Sequence, residues 1–142
     1  VQALELKPDD ALFENRVELW VAPLFEGEFP ILGTAGYLDF KMGAGITRAL
    51  NQGQISGALG ECTLFAHERA GRIYRVLLLG AGPLQKDSKR KLEDPKVFKK
   101  AREELDRLKI RTVGISLRDF PTLSHEKLTE EFGQQVELWI AA

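Results

Sequence analysis

Two glycine clusters are the clearest candidates for chemistry in this sequence. Gly43-Ala44-Gly45 leads into Ile46-Thr47-Arg48-Ala49, and Gly80-Ala81-Gly82-Pro83 follows the apolar run Val76-Leu77-Leu78-Leu79. Successive backbone N–H groups in such loops can cradle an anion, above all where a helix begins. Gly43, Ala44, Gly45, Gly80, Ala81 and Gly82 are therefore the candidate ligand-binding residues, and Lys86 or Arg48 could bring charge to a diphosphate. Neither cluster completes Gly-x-x-x-x-Gly-Lys-Ser or Gly-x-Gly-x-x-Gly. Turn formation alone also explains both.

Other chemistry finds less support. His67 and His125 are the only histidines and Cys62 the only cysteine, so no Cys-x-x-Cys or His-Glu-x-x-His spacing exists. Cys62 and His67 lie five apart on an expected strand and so face opposite ways. Cys62 reads as a small buried hydrophobe and His67 as a polar strand end. No Gly-x-Ser-x-Gly elbow is present. The carboxylate pairs Asp9-Asp10, Glu103-Glu104 and Glu130-Glu131 fall in expected surface segments, where solvation accounts for them. Neither a catalytic residue nor a metal ligand is expected, and no cofactor.

Charge is unevenly spread. Residues 86–111 carry 11 Lys+Arg against 6 Asp+Glu, whereas residues 1–40 carry 2 against 8. A basic helix can track phosphates. Here Glu103, Glu104 and Asp106 interleave with the basic residues and can pair along the helix. No aromatic platform accompanies them, so nucleic acid is not an expected partner.

These residues need a frame, and the pattern supplies one. Val17–Ala22 reads as a strand, and Phe25–Tyr37 as a glycine- and proline-marked loop that could carry a short edge strand. Asp39 offers an N-cap to a helix over Phe40–Asn51. Glu61–His67 and Arg72–Leu79 form a hairpin around Glu68-Arg69-Ala70-Gly71. Asp94-Pro95 starts the longest helix, whose Val97, Phe98, Ala101, Leu105 and Leu108 form one apolar stripe. Thr112–Leu117 alternates as a strand should. Ser124 caps a helix to Phe132, with Leu123 and Leu128 as a hydrophobic staple and Gly133 ending it in the left-handed conformation. Val136–Ile140 closes the chain as a strand.

The order β-α-β-β-α-β-α-β, in 142 residues that are 44% hydrophobic and 29% charged, fits a single α/β domain over 1–142. Twenty Lys+Arg against 21 Asp+Glu give a net charge of −1, too little to draw nucleic acid or an anionic membrane through a global field. No apolar run approaches the ~20 residues of a bilayer span. One cysteine permits no intrachain disulfide. A cytoplasmic protein is the expectation.

The stretch Arg75-Val76-Leu77-Leu78-Leu79-Gly80-Ala81-Gly82 adds a resemblance. A strand ending in Gly-x-Gly, then a polar loop, an Ala- and Leu-bearing helix and the strand Thr112–Leu117 resembles the N-terminal domain of the leucyl aminopeptidase family. Leu38-Asp39, the glycine-containing segment to Leu50, and Gly53 through Gly60-Glu61 are similar too. The resemblance implies a three-layer α/β/α sandwich with a mixed, mostly parallel sheet, related to the macro domain. It implies a scaffold without an active site, because the family's metal ligands and its Asn-Thr-Asp-Ala-Glu-Gly-Arg signature belong to the C-terminal domain. No such stretch occurs here. The macro-domain kinship implies the alternative, a module binding ADP-ribose or a related nucleotide. Gly43-Ala44-Gly45-Ile46-Thr47-Arg48-Ala49 is similar to the macro-domain Gly-Gly-Val-x-x-Ala-Ile loop, while Ala22-Pro23-Leu24 departs from the Asn-Ala-Asn-like segment.

A scaffold needs a partner. The expectation is assembly or regulation through a protein partner or self-association, with Val136–Ile140 as an exposed edge strand and Trp139 its contact. Trp139 filling the core instead is the competing reading.

Overall fold

In the computed structural model, which describes residues 2–84, 90–133 and 136–142, the strand β2 (Leu19–Glu26) is buried along seven of its eight residues. Its side chains alternate between two cores. Leu19 and Val21 join one apolar cluster, Trp20, Ala22 and Leu24 the other. Both faces of the strand are therefore covered, as its continuous apolar character requires.

The chain order is β1 (Gln2–Leu4), α1 (Pro8–Phe13), β2, α2 (Gly33–Lys41), α3 (Gly45–Asn51), β3 (Cys62–Arg69), β4 (Arg72–Pro83), α4 (Pro95–Arg107), β5 (Thr112–Ser116), a 3-10 turn (Leu117–Asp119), α5 (His125–Phe132) and β6 (Glu137–Ala141). The sheet runs β1-β6-β5-β2-β4-β3, parallel throughout except for the β3–β4 hairpin. Val21 lies in register with Leu77 on one side and Ile115 on the other. Helices α4 and α5 cover one face with Val97, Phe98, Ala101, Leu105, Leu128 and Phe132. Helices α1, α2 and α3 cover the other with Ala11, Leu12, Ala35, Leu38, Ile46 and Ala49. This is the expected three-layer α/β/α sandwich.

Local chemistry explains several boundaries. Asp94 caps α4 by accepting the Lys96 N–H at 2.9 Å, and Pro95 takes the first helical position. Ser124 caps α5 by accepting the Lys127 N–H. Phe98, Phe120 and Phe132 pack as a trio between α4 and α5, with the Phe98–Phe132 rings edge to face at 5.5 Å. In β5, Gly114 leaves room for the Trp20 ring, since a Cβ there would overlap it.

The structure departs from the sequence reading at five points. The first is the short N-terminal pair β1 and α1, which the pattern did not signal. Second, α2 begins at Gly33, inside the stretch read as a loop, and the expected helix 40–51 is two helices. The chain bends between them where Gly43 and Ala44 both take positive φ, +70° and +63°. Third, Gly133 ends α5 at φ −87°, not in the left-handed region. Fourth, β6 is no edge strand: β1 and β5 pair with it on either side, and Trp139 is half-buried against the α1–α3 face. Fifth, Asp9 is not a solvated carboxylate but is 8% exposed and accepts the Tyr37 hydroxyl at 2.8 Å.

Candidate functional site at the carboxyl ends of the strands

Strands β2 and β5 are parallel neighbours, yet the chain leaves them in opposite directions. After β2 it enters α2 on one face of the sheet, and after β5 it passes through the 3-10 turn to α5 on the other. A crevice opens at such a switch point, beyond the carboxyl ends of the strands. Here it is a groove of about 680 Å³ lined by Leu4, Thr34, Tyr37, Ser116, Asp119 and Ala141 among others.

Asp119 is its buried charge, only 2% exposed. Its Oδ1 accepts the backbone N–H of Thr34 at 3.0 Å, in the first turn of α2. Its Oδ2 is buried and has no hydrogen-bond partner among the described residues. Burial pushes the Asp119 carboxyl above the usual range, against the pull of the Thr34 hydrogen bonds and of Arg90. Arg90 is held in place by a bidentate pair with Glu28, Nε to Oε2 at 2.7 Å and Nη2 to Oε1 at 3.1 Å. It also donates to the Leu32 carbonyl and lies over the Phe25 ring. Gly33, at φ +69°, passes so close that a Cβ would lie 2.5 Å from Arg90 Nη1 and 2.7 Å from Asp119 Oδ1. Tyr37, on the same helix, gives its hydroxyl to Asp9, which pushes the phenol pKa up to about 12.

The sequence-based candidates lie elsewhere. None of Gly43, Ala44, Gly45, Gly80, Ala81 and Gly82 lines this groove. Gly45 opens α3, but the N–H groups of Ile46 and Thr47 that follow it both donate to Asp39 Oδ1, at 2.7 and 3.2 Å. Thr47 Oγ1 adds a bond to Asp39 Oδ2. A carboxylate of this chain thus sits where an incoming phosphate would be held. Arg48 donates to the Gly43 carbonyl. Gly80, Ala81 and Gly82 are part of β4, not of a loop after it. The Gly80 N–H donates to the Glu61 carbonyl and the Gly82 N–H to the Gly57 carbonyl. The expectation that these N–H groups are free is corrected. Lys86 falls outside the described residues.

Cys62 and His67 fall on opposite faces of the sheet, as their spacing suggests, though Cys62 is only half-buried. Burial and the nearby Glu104 push the Cys62 thiol up to about 11, the opposite of an activated thiolate. Cys62 faces the α4 side, whereas His67 stands near the Phe13 ring across the sheet. Burial and Arg69 hold His67 below its ordinary value. Glu104 pairs with Arg107 along α4 at 2.7 Å. Among the described residues no group of three His, Cys, Asp or Glu is placed to hold a metal ion.

Sequence reasoning missed the set Glu28, Thr34 and Asp119. Glu28 and Arg90 are 62 positions apart, Thr34 and Asp119 85 apart, so no local spacing announces them. The one available signal was an Asp just beyond the carboxyl end of a strand.

A family model described as "Cytosol aminopeptidase family, N-terminal domain" matches residues 23–138. No curated protein sequence matches the chain. Among solved structures, the macrodomain of Mycobacterium tuberculosis DarG superposes with a TM-score of 0.68 at 12% identity, over 99% of this chain and 95% of that one. The macrodomain of Thermus aquaticus DarG gives 0.63 at 13% identity, over 92% and 93%. A mutant of tomato leucine aminopeptidase gives 0.49 at 15% identity, over 87% of this chain and 29% of that one. The two macrodomains establish a shared fold and nothing further.

Proposed function

Because the chain belongs to the cytosol aminopeptidase family, through that family's N-terminal domain, we propose that it is a non-catalytic scaffold serving assembly or regulation. The observation that carries this reading is that three places where an anionic ligand could be held are filled by the chain itself. Asp39 takes the start of α3, the Glu61 and Gly57 carbonyls take the Gly80 and Gly82 N–H groups, and Asp119 takes the start of α2. These groups are engaged in holding elements together. The family's cytosolic description supports a cytoplasmic location within the same proposal; no helix among the described residues is long and apolar enough to cross a membrane.

The test is direct. The purified 142-residue chain, incubated with leucyl-anilide substrates and Mn²⁺ or Zn²⁺, should give no turnover. Turnover that co-purifies with the chain and disappears on chelation would overturn the reading.

One observation favours a second reading, a module that binds ADP-ribose or a related nucleotide. Asp119 Oδ2 is buried without a partner beside a groove large enough for a small molecule. In this reading the ligand enters at Thr34, Ser116 and Asp119, not at the glycine clusters.

A further inference from the structure

One of the two outer strands of the sheet is β3, whose eight residues pair only with β4 in an unbroken antiparallel register. Arg69 and Arg72 flank a two-residue turn in which Ala70 and Gly71 both have positive φ, 52° and 78°. Such a turn closes on a pair that exchanges both backbone hydrogen bonds. By alternation, Thr63, Phe65, His67 and Arg69 bond to β4, while Cys62, Leu64, Ala66 and Glu68 turn their N–H and C=O groups outward. The bond from Gly80 N–H to the Glu61 carbonyl fixes the same parity independently. Among the described residues, no other segment donates to or accepts from the backbone of this outer row. The strand has no Pro or bulge to blunt it. A groove of about 510 Å³ runs beside it, between α3 and the side chains of Thr63, Phe65 and His67.

Resting on the scaffold reading above, we infer that this edge is where two copies of the chain join, β3 against β3, in antiparallel pairing centred on Phe65. Outward-facing residues must meet outward-facing residues, which limits the registers. In the one centred on Phe65, Leu64 faces the partner's Ala66 and Cys62 faces the partner's Glu68. Thr63 faces the partner's His67, and Phe65 meets the partner's Phe65. Just before the strand, Glu61, whose carboxylate accepts from Ser56 and Thr63 of its own chain, falls opposite the partner's Arg69 at both ends of the ladder. No like charges oppose one another, and each opposite-charge pair favours this alignment. The central ring is already positioned. Phe65 is half-buried against Gly45, where a Cβ would lie 2.7 Å from its Cζ.

Analytical ultracentrifugation of the 142-residue chain tests this register. The wild type should sediment as a concentration-dependent dimer. Arg69→Glu sets carboxylate against carboxylate at both ends of the ladder, and Glu61→Arg sets guanidinium against guanidinium there. Each variant alone should therefore dimerise about tenfold or more weakly. Mixed in equal amounts, the two variants restore opposite charges at both ends and should recover a mixed dimer. Ala66→Pro removes an outward N–H while sparing the bonds to β4, so it should give a monomer with unchanged circular dichroism. A wild type that stays monomeric to millimolar concentration would overturn the inference. So would charge variants that dimerise as the wild type does, or whose mixture pairs no better than either alone. Those results concern the edge only, since the scaffold reading stands or falls on the turnover and ligand assays.

Discussion

The carboxylate of Asp39, in the last turn of α2, accepts the backbone N–H of Ile46, in the first turn of α3, at 2.7 Å. Asp39 is thus a helix cap, but for the helix after the one that contains it. The N-cap position of α3 is Ala44, which has no side-chain oxygen to offer. The bend through Gly43 and Ala44 brings Asp39 back over the open N–H groups, so one internal anion both ties two helices together and occupies the site a phosphate would use.

Asp39→Ala should therefore destabilise the chain by about 1–2 kcal/mol, the usual loss of an N-cap. Asp39→Asn keeps an acceptor oxygen and should retain most of that stability. Urea unfolding of the three proteins is the measurement. Equal stability of Asp39→Ala and wild type would contradict the capping role.

Asp39 also shows where sequence reading works and where it stops. Asp94-Pro95 and Ser124 were legible because their caps act on the next few residues. Strands β2, β4 and β5 were legible because apolar runs and alternation are local properties. Asp39 has the same residue type, yet it acts seven positions away across a bend, and reading it as an adjacent cap merged two helices into one. The start of α2 was hidden because its N-cap, Leu32, carries no capping oxygen. Val136–Ile140 alternates equally well at an edge or inside a sheet, so only the topology reveals that β6 is interior. The Glu28–Arg90 and Thr34–Asp119 contacts depend on the same long-range closure.

Asp119→Ala should lose about 1–3 kcal/mol, because the buried Thr34 N–H is left without its acceptor. Asp119→Asn keeps the acceptor and removes a charge that burial disfavours. The folded pKa of Asp119 is raised, so its contribution is intact in acid and weakens as pH rises through the folded value. Asp119→Asn should then gain on the wild type between acid and neutral pH. Thermal melts across that range would show the opposite trend if the carboxylate were held by a strong charge partner.

Glu28 is a nearly buried anion whose oxygens hold Arg90 and the Leu32 N–H. Glu28→Ala should cost about 3–5 kcal/mol, since it strands the Arg90 guanidinium. The double change Glu28→Leu with Arg90→Met should recover much of that loss. If it unfolds as readily as the single variant, the pair is not what sets the cost.

Spectrophotometric titration should reveal a phenolate transition near 12 that Tyr37→Phe removes. The Tyr37 pKa is raised from 10 by its bond to Asp9, so the stabilisation is complete below pH 10 and is lost between 10 and 12. Alkaline unfolding of Tyr37→Phe should lack that component. A wild-type chain with no tyrosine ionisation near 12 would show that the Tyr37–Asp9 bond does not persist in solution.

Isothermal titration of ADP-ribose into the wild-type chain separates a scaffold from a nucleotide-binding module most directly. The start of α3 is held by Asp39, the Gly80 and Gly82 N–H groups are bonded to carbonyls, and the Thr34 N–H is held by Asp119, so these three places are closed to a diphosphate. The scaffold account predicts no binding heat and no thermal shift at millimolar ADP-ribose. Saturable micromolar binding would contradict it.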